Sequence, residues 1–185
     1  MNHLATSKDD ILAASRELIK DNGWTAVSIR AVASRCSVSA GTIYNYYESK
    51  SDLLGDTIES IWREIFFHTE DEQDFKDVAA CVSWIYKRLE YGNEQFPGFF
   101  SLHSFGFMKD EKNGWKKKML QTWEHILNGL CDVLKNDPKI RSDVFDEKFT
   151  EKQFADILFS LILVSMIRQD YNPSSILMLI NKTLY

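Results

Sequence analysis

The chain of 185 residues contains only 3 prolines and 8 glycines. Sheets and hairpins use such turn residues at short intervals, so this shortage disfavours a fold of many strands and points to long helices. Cysteine is scarce as well. Cys36, Cys81 and Cys131 are odd in number and widely spaced, which excludes a disulfide framework and a C-x-x-C metal ribbon and fits a reducing cytoplasm. No hydrophobic run is long, since the nearly apolar stretch from Ile157 to Ile167 falls well short of the roughly 20 residues that cross a bilayer. The opening residues are polar and acidic and lack the basic-then-apolar order of a signal peptide. The expectation is a cytoplasmic protein with no membrane role.

A positive charge balance is missing too. Lys+Arg 22 against Asp+Glu 27 gives −5, a poor signature for nonspecific coating of nucleic acid. The charge is unevenly placed, however. Residues 1–55 hold Lys8, Arg16, Lys20, Arg30, Arg35 and Lys50 against Asp9, Asp10, Glu17, Asp21, Glu48 and Asp52, so all the net acidity lies beyond them. What is plentiful is apolar and aromatic material, 44% and 13% of the chain, enough for a self-supporting core.

Helical periodicity dominates. Ile11, Ala14/Ser15, Leu18 and Ile19 recur at i, i+3/i+4 and i+7 after Ser7, and Asp10 completes a variant capping box, which predicts a helix from Lys8 to Asn22. Gly23 is placed to end it in the left-handed conformation. Ser28 predicts the start of a short helix with Ile29, Val32 and Ala33 on one face, and Ser39 a second one reaching Tyr46. A longer helix opens at Ser49, with Leu53, Ile58, Ile61, Trp62, Ile65 and Phe66 as its buried stripe. Beyond Asp71 the pattern predicts helices at about Phe75–Tyr91, Phe99–Phe107, Lys112–Leu134, Thr150–Asp170 and Pro173–Leu184, with loops at Gly92-Asn93, Asn136-Asp137-Pro138 and Tyr171-Asn172-Pro173.

Two short helices joined by a tight turn and braced by a first helix describe a helix-turn-helix, whose second helix enters the major groove. At 100° per residue Ile43 and Tyr47 share one face, while Gly41, Thr42, Tyr44 and Asn45 point the other way and offer a small, hydrogen-bonding surface. The same pattern also occurs in helical proteins that never touch DNA.

The run Ile11-Leu12-Ala13-Ala14, Leu18-Ile19, Gly23-Trp24, Ser28-Ile29-Arg30-Ala31-Val32-Ala33, Val38-Ser39-Ala40-Gly41-Thr42-Ile43-Tyr44-Asn45-Tyr46-Tyr47 and Ser49-Lys50-Ser51-Asp52-Leu53-Leu54 resembles the TetR family of bacterial transcriptional regulators. That resemblance implies an all-α homodimer. A three-helix DNA-binding domain (residues 1–50) would be joined by a long helix to a helical ligand-binding and dimerisation domain (residues 51–185). It also implies that Ser39, Ala40, Gly41, Thr42, Tyr44, Asn45, Tyr46 and Lys50 lie at the operator, together with Ser28 and Arg30 on the preceding helix. Tyr44 and Tyr46 would bond or stack along the backbone, Lys50 would hold a phosphate and Asn45 would read a base edge. The chain departs from the family at Cys36-Ser37, where Ala-Gly is usual. A positive φ at Ser37 would cost about 1 kcal/mol relative to glycine.

Aromatic residues crowd the second part. Most serve as core, but Trp62, Phe66, Trp84, Tyr91, Phe99, Phe100, His103, Phe107, Trp123 and Phe159 are candidate lining of a pocket for a small, mainly apolar or aromatic effector. No cofactor or metal site is expected, because Glu64/His68 is a lone i, i+4 pair. The last two helices are apolar nearly all round, which predicts pairing with the same helices of a second subunit on a palindromic double-stranded operator. Two alternatives remain: the same DNA-binding domain controlled by a protein partner, and a helical enzyme, for which no Gly-rich phosphate loop, nucleophile elbow or acid–base pair is present.

Overall fold

In the first helix, α1 (Lys8–Asn22), both capping-box bonds form: Asp10 N donates to Ser7 Oγ at 3.1 Å and Ser7 N to the Asp10 carboxylate at 2.9 Å. The Ser7 hydroxyl also donates to the Asp10 carboxylate at 2.7 Å, and this bond, then the one from Ser7 N, holds the Asp10 carboxyl below its ordinary range. Gly23 ends the helix as expected but at φ 76°, ψ 175°, which is extended rather than left-handed helical. Only glycine enters that region freely. A single turn of 3-10 helix (Trp24–Ala26) then leads to α2 (Ile29–Arg35), α3 (Ala40–Tyr44) and α4 (Lys50–Phe66). Each expected stripe residue of α4 is buried, and Gly55 and Thr57 join them.

The computed structural model describes residues 6–66, 75–100 and 114–185, with side chains in the last stretch from Leu120 onward. Its remaining helices are α5 (Val78–Gln95), α6 (Gly114–Asn136), α7 (Glu151–Arg168) and α8 (Ser174–Leu184), and no strand occurs among the described residues. The architecture is all-α. Of the helix expected over residues 99–107, only Phe99 and Phe100 are among the described residues, and both are helical.

The expected loop at Gly92-Asn93 is instead helix, since α5 runs through to Gln95. The glycine serves packing rather than a turn. A Cβ there would lie 2.6 Å from Ile65 Cδ1 and 3.0 Å from Phe100 Cζ.

The chain forms two compact units, residues 1–67 with 92–119 and residues 68–91 with 120–185. In the first, Ile11, Ile19, Val32, Ile43, Leu53, Ile61 and Trp62 form the core. In the second, the core gathers Val82, Leu89, Leu130, Leu134, Leu158, Ile162 and Ile180. Its loop at Asp137 is tightly bonded: one carboxylate oxygen of this buried residue accepts from Val78 N (2.9 Å) and Tyr185 Oη (2.6 Å), the other from Lys139 N (2.9 Å).

Helix α7 carries two apolar stripes. Phe154, Leu158, Ile162 and Met166 are buried, whereas Ile157, Leu161, Val164 and Ile167 are 38–57% exposed. Met178 and Leu179 on α8 are exposed as well.

Candidate nucleic-acid interface

Three serines set the starts of the two short helices and of the long helix that follows them. Ser28 Oγ accepts from Ala31 N at 3.2 Å and starts α2, Ser39 Oγ accepts from Thr42 N at 3.1 Å and starts α3, and Ser49 Oγ accepts from Asp52 N at 3.2 Å at the head of α4. Between α2 and α3 the chain reverses at Ser37, which does take a positive φ, 56°. The reversal is closed by Val38 N donating to Ala33 O at 2.9 Å. Helix α3 is shorter than the expected Ser39–Tyr46. Beyond Tyr44 the backbone tightens to three-residue bonds, Asn45 N to Thr42 O and Tyr46 N to Ile43 O.

The faces of α3 divide as its spacing requires. Ile43 and Tyr47 are buried, Gly41, Tyr44 and Asn45 are exposed, and Ala40 and Thr42 are half-buried. Three of the expected contact residues, Ser39, Thr42 and Tyr46, are partly engaged within the protein. Ser39 Oγ also lies 3.0 Å from Thr42 Oγ1. The Tyr46 hydroxyl donates to Thr6 O at 2.6 Å, so a phosphate, which can only accept, would have to compete with that carbonyl.

The charge pattern is what the sequence could not show. Lys8 pairs with Asp56 (2.6 Å), Arg16 and Lys20 both pair with Glu64 (2.9 Å each), and Arg35 pairs with Asp21 (2.8 Å). These four basic groups bind α1 to α4 and to α2. Arg30 and Lys50 are exposed and make no ion pair with any described residue. Arg16 and Lys20 stand at i, i+4 on one face of α1, but their shared partner lies 44 residues beyond Lys20, and nothing local announces it. Tyr47 sits beneath Lys8, whose Nζ is 5.4 Å from the ring centroid. Burial, followed by the Asp56 charge, drives its phenol upward. Burial also raises the Cys36 thiol, which makes it a poor nucleophile.

The candidate pocket residues fall in two places. Trp62, Phe66, Phe99 and Phe100 come together in the first unit, with centroids of 5.6 Å for Trp62–Phe66, 5.6 Å for Trp62–Phe99, 5.7 Å for Trp62–Phe100 and 5.4 Å for Phe99–Phe100. All four are at most 8% exposed. Phe96 and Trp24 join this cluster at 6.3 and 6.2 Å from Phe99. In the second unit Trp123 meets Phe159 edge-on at 5.8 Å, Trp84 packs on Phe75 at 5.3 Å, and Tyr91 lies under the Arg88 guanidinium at 4.7 Å. His103 and Phe107 lie outside the described residues. No group of three or more His, Cys, Asp or Glu side chains among the described residues could hold a metal ion.

The family model described as bacterial regulatory proteins, tetR family, matches residues 11–57, which run from Ile11 of α1 through α2 and α3 into α4. Over those residues, about a quarter of its length, the chain is similar to that family. Among curated relatives, a helix-turn-helix regulator in the lacX 3′ region of Lactococcus lactis subsp. lactis is 27% identical over 101 residues, 49% of this chain and 52% of the relative. The repressor KstR of Mycobacterium tuberculosis is 35% identical over 81 residues, 44% of this chain and 34% of its own. The matched part thus spans about half the length of the first of these and a third of the second. Solved structures extend the likeness to the whole fold. A putative TetR-family regulator from Rhodococcus sp. superposes with a TM-score of 0.68 over 100% of both chains at 14% identity. BioQ, solved with its natural double-stranded DNA operator, gives 0.64 over 96% of both chains at 16% identity. FadR from Bacillus subtilis, solved in complex with stearoyl-CoA, gives 0.61 over 96% of this chain and 95% of its own at 19% identity.

Proposed function

We propose that this chain is a ligand-responsive transcriptional repressor that binds a palindromic operator as a homodimer and leaves it when a mainly apolar or aromatic effector occupies the helical domain of residues 51–185. The observation that carries the DNA-binding half is the division of α3. Its apolar residues are buried, Gly41, Tyr44 and Asn45 are exposed, and so are Arg30 and Lys50, which make no ion pair with any described residue. Homodimerisation is supported by the second apolar stripe of α7 and by Met178 and Leu179 of α8, a surface that a chain of this size leaves uncovered only at a cost in solubility. The effector class is supported by the half-buried Trp84, Trp123 and Phe159, and by FadR, which holds a long acyl chain within the same fold.

The test begins with selection of duplexes from a random pool by the full chain. A symmetric site with half-sites about one helical turn apart is expected. Asn45→Ala should relax preference at one base pair at a cost of about 1–3 kcal/mol. Lys50→Ala should weaken all sequences alike and flatten the dimer's salt dependence by about two powers of salt concentration. Leu161→Glu should convert dimer to monomer in sedimentation and remove operator binding. Failure to enrich any duplex would refute the DNA-binding reading. A dimer that survives Leu161→Glu would refute the assigned interface, and a panel of apolar and aromatic compounds that neither shifts Tm nor releases the operator would refute the effector class.

A further inference from the structure

The aromatic cluster of the first unit reaches the reading helices by a route separate from the backbone of α4. Helix α5 begins in the second unit, and its last residues, with Phe96, Phe99 and Phe100, belong to the first. Phe96 lies under the ammonium of Lys20 at 5.0 Å, and that ammonium is bonded to Glu64 at 2.9 Å. Phe99 lies 6.2 Å from Trp24. Lys20 and Trp24 flank the end of α1, so residues 96–100 hold the chain on both sides of Gly23.

Trp24 is followed within four residues by Ser28, the cap of α2. The intervening turn is stiff. Ala26 N donates to Gly23 O, Val27 N donates to Trp24 O, and Val27 is fully buried. A displacement of Trp24 therefore cannot be absorbed before α2. Helices α2 and α3 are bonded through Val38 N to Ala33 O and share a core of Val32, Ala33 and Ile43, so they move as a pair. Phe99 is also unable to shift alone, being 1% exposed and wedged between Phe96, Phe100 and Trp62.

We propose that Trp24 is a positioning residue for operator binding, the point at which Phe99 and its neighbours set the placement of the α2–α3 pair that carries Arg30, Tyr44 and Asn45. This rests on the DNA-binding reading above. Motion of residues 96–100 is thereby delivered at the entrance of α2, and Gly23 is the residue whose backbone freedom accommodates it.

The experiment uses the full chain, the duplex selected by the wild-type protein, and the variants Trp24→Leu, Phe99→Leu, their combination and Trp24→Phe. Operator affinity is read by anisotropy, and amide exchange is read over residues 28–45 and over α6 to α8 without DNA. Each leucine variant is expected to lower affinity by about two- to tenfold, the range of an aromatic pair. The double variant should be no worse than the weaker single, because both remove one contact. Trp24→Phe should stay within about twofold of wild type. Exchange should quicken over residues 28–45 and stay unchanged in α6 to α8. Unchanged affinity in the leucine variants, losses that multiply in the double variant, or an exchange increase spread over all helices would overturn the proposal. If Phe99→Leu does not fold, the half-buried Trp24 carries the test with Trp24→Leu against Trp24→Phe. If the wild-type protein selects no duplex, the functional reading fails, and the exchange comparison still decides whether Phe99 positions residues 28–45.

Discussion

Gly92 and Gly129 both lie inside long helices, yet replacing each by alanine should have opposite effects. Alanine is favoured over glycine in a helix interior by about 1 kcal/mol, so propensity contributes the same gain at both sites. At Gly129 a Cβ meets nothing within 4 Å, and the full gain should appear. At Gly92 the new methyl group would stand 2.6 Å from Ile65 Cδ1, 3.0 Å from Ile65 Cγ1 and 3.0 Å from Phe100 Cζ. Both neighbours are 0% exposed, so neither can swing into solvent. Overpacking of this kind costs about 1–3 kcal/mol, which leaves Gly92→Ala between neutral and about 2 kcal/mol destabilised. The difference between the two variants cancels propensity and isolates the clash. At about 2–4 °C per kcal/mol for a chain of this length, Gly129→Ala should melt above wild type and Gly92→Ala at or below it. Thermal unfolding followed by circular dichroism at one fixed protein concentration measures both. A Gly92→Ala protein as stabilised as Gly129→Ala would show that the packing of α5 on Ile65 is wrongly described.

Ser37→Gly should raise stability by about 1 kcal/mol, because it relieves a non-glycine residue at φ 56°; chemical denaturation with an unchanged m-value is the check, and a loss of stability would contradict the turn geometry. Gly41→Ala should leave stability equal or slightly raised, since its Cβ would make only an ordinary 3.5 Å contact with Ser39 Oγ, while operator affinity falls; equal affinity would remove Gly41 from the interface. Asp77 accepts from Ala80 N at 2.7 Å and pairs with Lys139, and the Lys139 bond, then the Ala80 bond, hold its carboxyl below the ordinary range. A depressed carboxylate contributes stability above its unfolded pKa and loses it as pH falls through the folded value. The Tm advantage of wild type over Asp77→Asn, which keeps the cap but not the charge, should therefore be present at neutral pH, begin to fall only below about pH 4 and disappear as pH drops through the lowered folded value.

Much of the first unit was legible because its signals are local. Ser7 with Asp10, Ser28, Ser39 and Ser49 fix where helices begin, and the apolar spacing of α4 fixes which face is buried. Gly92 was misread because a glycine inside a helix and a glycine in a turn look alike until the partner across the interface, 27 residues earlier, is in view. The same limit hid the ion pairs of Arg16 and Lys20 with Glu64 and the contact of Trp24 with Phe99. Spacing divided the faces of α3 correctly, but it could not reveal that the Tyr46 proton is committed to Thr6.

The internal pairing of Lys8, Arg16, Lys20 and Arg35 bears on how a DNA-binding protein of this kind would search a genome. Random duplex is held almost wholly by cations that displace counterions from phosphates. With four of the six basic side chains of residues 1–55 engaged on its own helices, the reading domain proposed above would grip such duplex weakly and be less sequestered by the vast excess of wrong sites. Occupancy of the correct site would then rest on the uncharged residues of α3 rather than on bulk charge.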